Sequence, residues 1–341
     1  MRSGDNPNKS TEAKVATVWH HVIMPVYIPH AEGYFRDSFK ILRLSLESLI
    51  RTVAPGTYIT VVDNGSAAEV SGYLDQLFHE GHINEIIHTI NIGKINAVMK
   101  GLAGINSVFF TVCDQDILFL EHWQQASFAV FDDFPKAGVV GIIPMFNTFK
   151  TYSDHLLFDF LLSDRLKFRP VKNPEALQRF YDSIWTDRNY NQHRLKEILT
   201  LSSPNGEIAV VGSGHVVATY RRDIFDTFQK SYTRDLLSPE SDKLFLDLPP
   251  LHSGYYRFTT YDNYAYHMGN AYESWMSGVS GQAIARTVSA PRNHPKLKQG
   301  LFVRFFGTFK KYFVQKIIFK PIFYRHFLKY KGLQSDQIST F

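Results

Sequence analysis

The tripeptide Asp114-Gln115-Asp116 lies between two apolar runs, residues 108–113 and 117–120. Two carboxylates placed where a buried strand meets solvent repel each other and lose hydration, so a cation between them relieves both costs. A divalent magnesium or manganese ion carrying a diphosphate meets that need, because such ions bind one or two carboxylates and complete their shells with phosphate oxygens and water. The plainer alternative is that the pair caps a following helix.

Two more segments carry groups of the same kind. Asp63 closes the run Val61-Val62-Asp63-Asn64-Gly65-Ser66, where a glycine permits a tight turn and a carboxylate can accept from a base or ribose. An Asx-turn is the bland reading there. Asn91-Ile92-Gly93-Lys94 opens a helix-like stretch. Free amides at a helix start beside a lysine suit phosphate, although Lys94 could equally be a solvated first-turn residue.

The elements that must position these residues alternate in type. Strand-like runs at 15–27, 58–62, 86–90, 108–112 and 138–143 are separated by helix-like stretches, including 69–79, 94–102 and one carrying Phe39, Leu42, Leu46, Leu49 and Ile50 on a single face. Such alternation predicts a mainly parallel α/β sheet covered on both faces, with ligands held beyond the carboxyl ends of the strands. Asp63 and Asp114 both fall at strand ends, which places them in one crevice. From 145 to 207 the pattern loosens and reads as an insertion over the site. It tightens at 208–220, with a helix expected from about Arg222 and another over 240–248 that Pro249 and Pro250 stop.

In order and spacing, residues 22–141 resemble the family 2 glycosyltransferases of the GT-A fold. The resemblance rests on Val22-Ile23-Met24-Pro25-Val26-Tyr27, Val-Val-Asp-Asn-Gly-Ser, Asn91-Ile92-Gly93-Lys94 and Asp-Gln-Asp. It implies a Rossmann-like mixed sheet with helices on both faces, and a nucleoside diphosphate sugar bordered by Pro25, Val26, Asp63 and Asn91. Lys94 would stand near its phosphates and Asp114 near ribose and metal. Asp116 would ligate manganese or magnesium directly. Relatives also carry an acidic pair at a helix start, matched here by Glu240 and Asp242 with Ser241 between them. An inverting transfer needs one carboxylate to take the acceptor hydroxyl proton, and Asp242 is preferred with Glu240 second. His267 matches a late histidine that joins the metal or diphosphate, with a packing role as its alternative. His215, after Gly212-Ser213-Gly214, could line the acceptor side.

Composition bounds the rest. The chain has 341 residues, 44% hydrophobic and 20% charged, enough for a large core. A single cysteine, Cys113, excludes an intrachain disulfide framework and multi-cysteine zinc sites. Residues 296–335 hold ten Lys or Arg and no Asp or Glu, which leaves 27 basic and 32 acidic residues elsewhere, a net −5. The division expected is a catalytic unit over 15–295 and a basic, aromatic, amphipathic extension over 296–335. In that extension Phe302, Phe305, Phe306, Phe309, Phe313 and Ile317 share helical spacing, which suits a helix at an anionic membrane interface or one packed back on the catalytic unit. Nucleic acid is not expected, since no recognisable module accompanies the cations. No run is long enough to span a bilayer and the start lacks a signal-like core, so a cytoplasmic location is expected, peripheral on the membrane if the extension binds it.

The expected activity is therefore metal-dependent transfer of one sugar from a nucleoside diphosphate sugar to a glycan or lipid-linked glycan, in cell-surface polysaccharide synthesis. The absence of Gln-x-x-Arg-Trp speaks against the processive cellulose or chitin synthase branch. Two rivals stay open. A sugar-phosphate nucleotidyltransferase usually opens with a Gly-rich, Arg-containing loop that residues 24–27 lack. A non-catalytic glycan-binding protein on the same fold would have no use for the carboxylates.

Overall fold

The computed structural model describes residues 4, 9, 18–184, 192–225, 232–279, 288, 291, 295–297, 301–338 and 341, with the side chains of 301–305 left aside. A ten-stranded mixed sheet forms the frame. Its first half is built from β1 (Val18–Val26), β2 (Tyr58–Asp63), β3 (Glu85–His88) and β4 (Ser107–Cys113), with α1 (Ser38–Thr52), α2 (Ala68–His79) and α3 (Lys94–Leu102) as the crossovers. These four strands are mutually parallel in the order β3-β2-β1-β4, as the alternating pattern predicts. Strand β1 shows why helices cover both faces. Its Val22, Met24 and Val26 pack with Leu42 and Leu46 of α1 and Leu74 of α2. The intervening Ile23 packs on the other face with Ile95 and Val98 of α3.

The second half breaks the parallel order. After the short β5 (Ile117–Phe119) and α4 (Trp123–Asp133) come β6 (Ala137–Gly141), α5 (Asp154–Asp159), β7 (Leu166–Pro170), α6 (Pro174–Ile184) and β8 (Glu197–Ser202). Then follow β9 (Ile208–Val211), β10 (Val217–Arg221), α7 (Pro239–Asp242), α8 (Leu248–His252), β11 (Tyr256–Thr260), β12 (Ala265–His267) and α9 (Trp275–Gly278). Strand β10 lies antiparallel between β4 and β6, and β11 runs parallel to β6. Strands β4, β6 and β11 therefore point the same way, and their carboxyl ends share one edge with the amino end of β10.

The apolar run 208–220 forms β9 and β10: Gly212 at φ 94° turns the chain between them, and a β-carbon there would lie 2.5 Å from the Thr148 backbone, so only glycine fits. Two expectations are corrected here. The segment 145–207 is more than an insertion, because β7 and β8 extend the sheet and only parts of it approach the site. Helical structure also runs through Pro249 and Pro250 rather than stopping before them. A π-helical turn over Lys243–Asp247 leads directly into α8, and both prolines fall in the turn that follows this irregularity. From Arg222 only a short 3-10 turn, Arg222–Ile224, lies within the described residues.

The C-terminal extension forms α10 (Leu301–Phe313) and α11 (Pro321–Tyr330). Phe309 and Phe313 meet Phe158 of α5, and Val314, Ile318, Phe327 and Leu328 are buried in the core beneath β7 and β8. The Phe168 amide donates to the Lys331 carbonyl at 2.7 Å, so the extension covers the outermost strand of the sheet. Phe302, Phe305 and the Arg304 side chain lie outside the described side chains. No helix among the described residues is long and apolar enough to cross a membrane.

Candidate active site

The residues singled out by type converge at the carboxyl edge of β1, β2 and β4. The ends of β4 and β5 hold Asp114, Gln115 and Asp116 in a turn, where the Asp114 amide donates to Val216 and the Asp116 carbonyl accepts from Met268, both at 2.8 Å. Gln115 points back and accepts from the Tyr27 amide at 2.8 Å, tying the turn to the end of β1. The two aspartates are thereby turned to different partners. Asp114 Oδ1 meets Lys94 Nζ at 2.6 Å, and Asp116 Oδ2 lies 3.3 Å from His267 Nε2. Ser183 of α6 bonds His267 Nδ1 at 2.8 Å and fixes the ring. That contact comes from the loosely patterned segment, where nothing in the sequence marked Ser183.

Asp116 Oδ1 is buried and has no hydrogen-bond partner. Burial raises the Asp116 carboxyl above its usual range; His267 pulls it down and Asp114 adds to the rise. An orphaned carboxylate oxygen beside an imidazole is a donor set that suits manganese or magnesium. Among the described residues no three carboxylate, imidazole or thiol groups converge tightly enough to hold an ion alone. Asp116 and His267 are together, while Asp114 is drawn toward Lys94. A cation bound here would complete its shell with ligand oxygens, as magnesium-type sites do.

A second cluster adjoins the first. The π-helical turn brings Asp242 and Asp247, five residues apart, to the same side, and His215 from the amino end of β10 stands between them. His215 Nε2 is 3.5 Å from Asp242 Oδ2, and Nδ1 is 3.4 Å from Asp247 Oδ2. Arg257 of β11 closes the row at 2.7 Å from Asp247, and its guanidinium also donates to the Ser213 and Asp247 carbonyls.

The balance of burial and charge differs along the row. Burial pushes the Asp242 carboxyl up, and the opposing pull of Lys94 and His215 does not cancel it. For Asp247 burial also pushes up, but Arg257 and His215 win and hold it below the ordinary range. His215 is raised because Asp247 outweighs burial. Lys94 is likewise raised, the carboxylates of Asp114 and Asp242 overcoming desolvation. Asp242 is thus the carboxylate with the greater affinity for a proton, beside one kept ionised. Such a split marks acid–base assignments. Asp247 and Arg257 carried no sequence signal, since each belongs to a segment whose pattern is merely apolar.

The remaining expected residues fall as follows. Glu240 is 58% exposed and paired with Lys243 at 2.8 Å, turned away from this row. Asp63 is held by the loop that follows it: Oδ1 accepts from the Ser66 amide, and Oδ2 meets Ser71 and His88 at 2.6 and 2.9 Å. Asn91 accepts from the Gly93 amide and from Asn64, which in turn accepts from the Ile92 amide. This ladder shapes the loop before α3. Val26 is fully buried and its carbonyl accepts from the Asn64 amide, while Pro25 and Tyr27 on either side are partly exposed. Burial and then the charges of Asp116 and Asp114 push the Tyr34 phenol up. Cys113 is buried with its thiol well above the usual range, an inert core group.

Comparison with known proteins follows the same lines. The family described as Glycosyl transferase family 2 matches residues 22–227. Among solved structures the chain is similar to S. aureus TarS 1-349, at 16% identity over 73% of this chain and 60% of that one, TM-score 0.43. It is also similar to TarS 1-349 in complex with UDP-GlcNAc, at 17% identity over 76% and 64%, TM-score 0.41. A third is the mannosyltransferase PcManGT from Pyrobaculum calidifontis in complex with GDP-Man and Mn2+, at 15% identity over 74% and 58%, TM-score 0.41. The chain spans less than two thirds of the length of these structures. No curated protein matches it.

Proposed function

The chain belongs to glycosyl transferase family 2, and from that premise we propose that it carries out metal-dependent, inverting transfer of one sugar from a nucleoside diphosphate sugar to a hydroxyl of a glycan or lipid-linked glycan. The observation that carries the reading is the adjacency of two units. One is the orphaned carboxylate of Asp116 beside His267, the other the proton-avid Asp242 beside His215. A divalent manganese or magnesium ion held by Asp116, with Asp114 and His267, would supply electrostatic stabilisation of the departing diphosphate.

The chain's own residues do the rest. Lys94 offers a partly buried cation at the start of α3 for the anionic oxygens of the diphosphate. Asp242 accepts the acceptor hydroxyl proton as that oxygen bonds to the anomeric carbon and the bond to the diphosphate oxygen breaks, releasing a nucleoside diphosphate. His215 orients Asp242, and Asp247 with Arg257 holds His215 in place. We place this machinery in a catalytic unit over 15–295, with the extension over 296–335 as its membrane-facing part and cell-surface polysaccharide synthesis as its setting.

The test is an assay with UDP-, GDP- and dTDP-sugars and an array of glycan acceptors, read as free nucleoside diphosphate formed together with extended glycan. Asp242→Asn lowers the rate of both products by about 10²–10⁴-fold on this account. Pyrophosphate release from a nucleoside triphosphate and a sugar phosphate would instead favour a nucleotidyltransferase. No turnover of either kind would favour a binding protein.

A further inference from the structure

A cleft of about 490 Å³ lies on the carboxyl edge of the sheet, away from both carboxylate clusters. Its volume falls within the roughly 300–1,000 Å³ typical of small-molecule sites. Tyr261 and Tyr264 line it from the connection between β11 and β12, and Gln125 and His122 from the start of α4. Glu207 and Asp262 add carboxylates, and Lys172 reaches Asp262 at 3.3 Å. We propose that this cleft binds a neutral segment of the acceptor glycan, remote from the sugar that receives the transfer; this extends the reading above and rests on it.

Three observations favour that ligand class. Tyrosines present flat amphipathic surface, while carboxylates, an amide and an imidazole offer the paired acceptors and donors that vicinal hydroxyls require. The carboxylates of Glu207 and Asp262 outnumber the single Lys172 ammonium, which disfavours phosphate-rich polymers. The polar groups disfavour an acyl chain.

Position gives the cleft its relation to the reaction. Strands β5 and β12 form a two-stranded ribbon in which His267 faces Ile117 and Ala265 faces Phe119, and the Leu120 amide donates to the Tyr264 carbonyl at 3.0 Å. One end of the ribbon therefore carries Asp116 and His267, and the other carries Tyr264 and leads to His122. Three residue steps of about 3.3 Å each take the strand from His267 to Tyr264, roughly 10 Å or two sugar units along the edge. At the cleft end His122 holds φ 66°, a left-handed conformation that the surrounding structure must impose.

The test is isothermal titration of the full chain with cellohexaose, maltohexaose and chitohexaose, comparing wild type with Tyr261→Ala, Glu207→Gln and Asp116→Ala. At least one hexasaccharide should bind wild type, at least tenfold more weakly to Tyr261→Ala and to Glu207→Gln, and equally well to Asp116→Ala. The conservative Glu207→Gln keeps the test valid if Tyr261→Ala fails to fold. No binding of any of the three, or binding undiminished in the cleft variants, overturns the proposal. Binding lost only in Asp116→Ala also overturns it, by placing the sugar at the donor site. Failure of the donor reading would appear separately, as absence of nucleotide-sugar binding with oligosaccharide binding intact.

Discussion

At the scale of single residues, the account depends on which carboxylate can hold a proton. Asp242 is 7% exposed with its carboxyl pushed up by burial, whereas Glu240 stands in solvent against Lys243. Asp242→Asn keeps the shape and removes the base, so it should retain donor binding while lowering turnover by about 10²–10⁴-fold. Glu240→Gln should cost far less, and equal losses in nucleoside diphosphate release from the two variants would move the base elsewhere. In the sequence, the resemblance to family 2 glycosyltransferases brought Asp242 and His267 forward, and the glycines before His215 brought that residue forward as a lining of the acceptor side. Asp247, Arg257 and Ser183 were not legible there. Their roles arise only when a π-helical turn, an antiparallel strand and a helix from a loosely patterned segment bring them together.

At the scale of elements, β1 carries two buried histidines whose charge states couple the sheet to pH. His20 accepts from the Gln124 amide at Nδ1 and meets Thr111 at Nε2, both at 2.7 Å, so its neutral ring is satisfied on both sides. Burial, then the neighbouring His21, lowers it to about 3; burial, then Arg222, lowers His21 to about 4. The unfolded chain, with histidines near 6.5, takes up protons first as pH falls, so this contribution is full above about 6.5 and is lost toward pH 3–4. The loss is at most about 1.4 kcal/mol per pH unit for each ring. His88, raised chiefly by its bond to Asp75, has the opposite sign. The difference between variants is therefore the informative quantity. Urea denaturation at pH 7, 6 and 5 should show a smaller acid loss in His20→Gln than in wild type. Parallel pH profiles would contradict it.

The first-half elements were legible because each parallel strand and its helix bury period-2 and 3.6-period faces locally. The mixed order of the second half was not, since β10 pairs with β4 across more than a hundred residues and no local pattern encodes that partner. Gly212 was visible as a glycine, but only the Thr148 backbone explains why the apolar run must break there.

At the scale of the molecule, the extension packs back on the catalytic unit and still leaves an apolar face in solvent. Its inner side packs into the core through Val314, Phe327 and Leu328, and α11 leaves Ile322 71%, Phe323 53% and Tyr330 60% exposed. Lys320, Arg325 and Lys329 stand along this exposed helix, and an anionic bilayer would gain about 1 kcal/mol from each of them near its surface. Co-sedimentation should show binding to vesicles containing phosphatidylglycerol, weaker binding to pure phosphatidylcholine, and loss in Ile322→Ser/Phe323→Ser. Equal partitioning into both vesicle types, or binding unchanged by the double substitution, would leave the exposed face without a membrane role.

The central claim is that Asp116 anchors a cation that in turn anchors a nucleotide sugar, and thermal unfolding with UDP-, GDP- and dTDP-sugars, with and without manganese, tests it most directly. A ligand at a hundred times its dissociation constant stabilises the native state by about 2.7 kcal/mol. Wild type should therefore unfold a few degrees higher with one donor class only when manganese is present, and Asp116→Ala should show no such shift. A manganese-dependent shift that persists undiminished in Asp116→Ala would contradict the account.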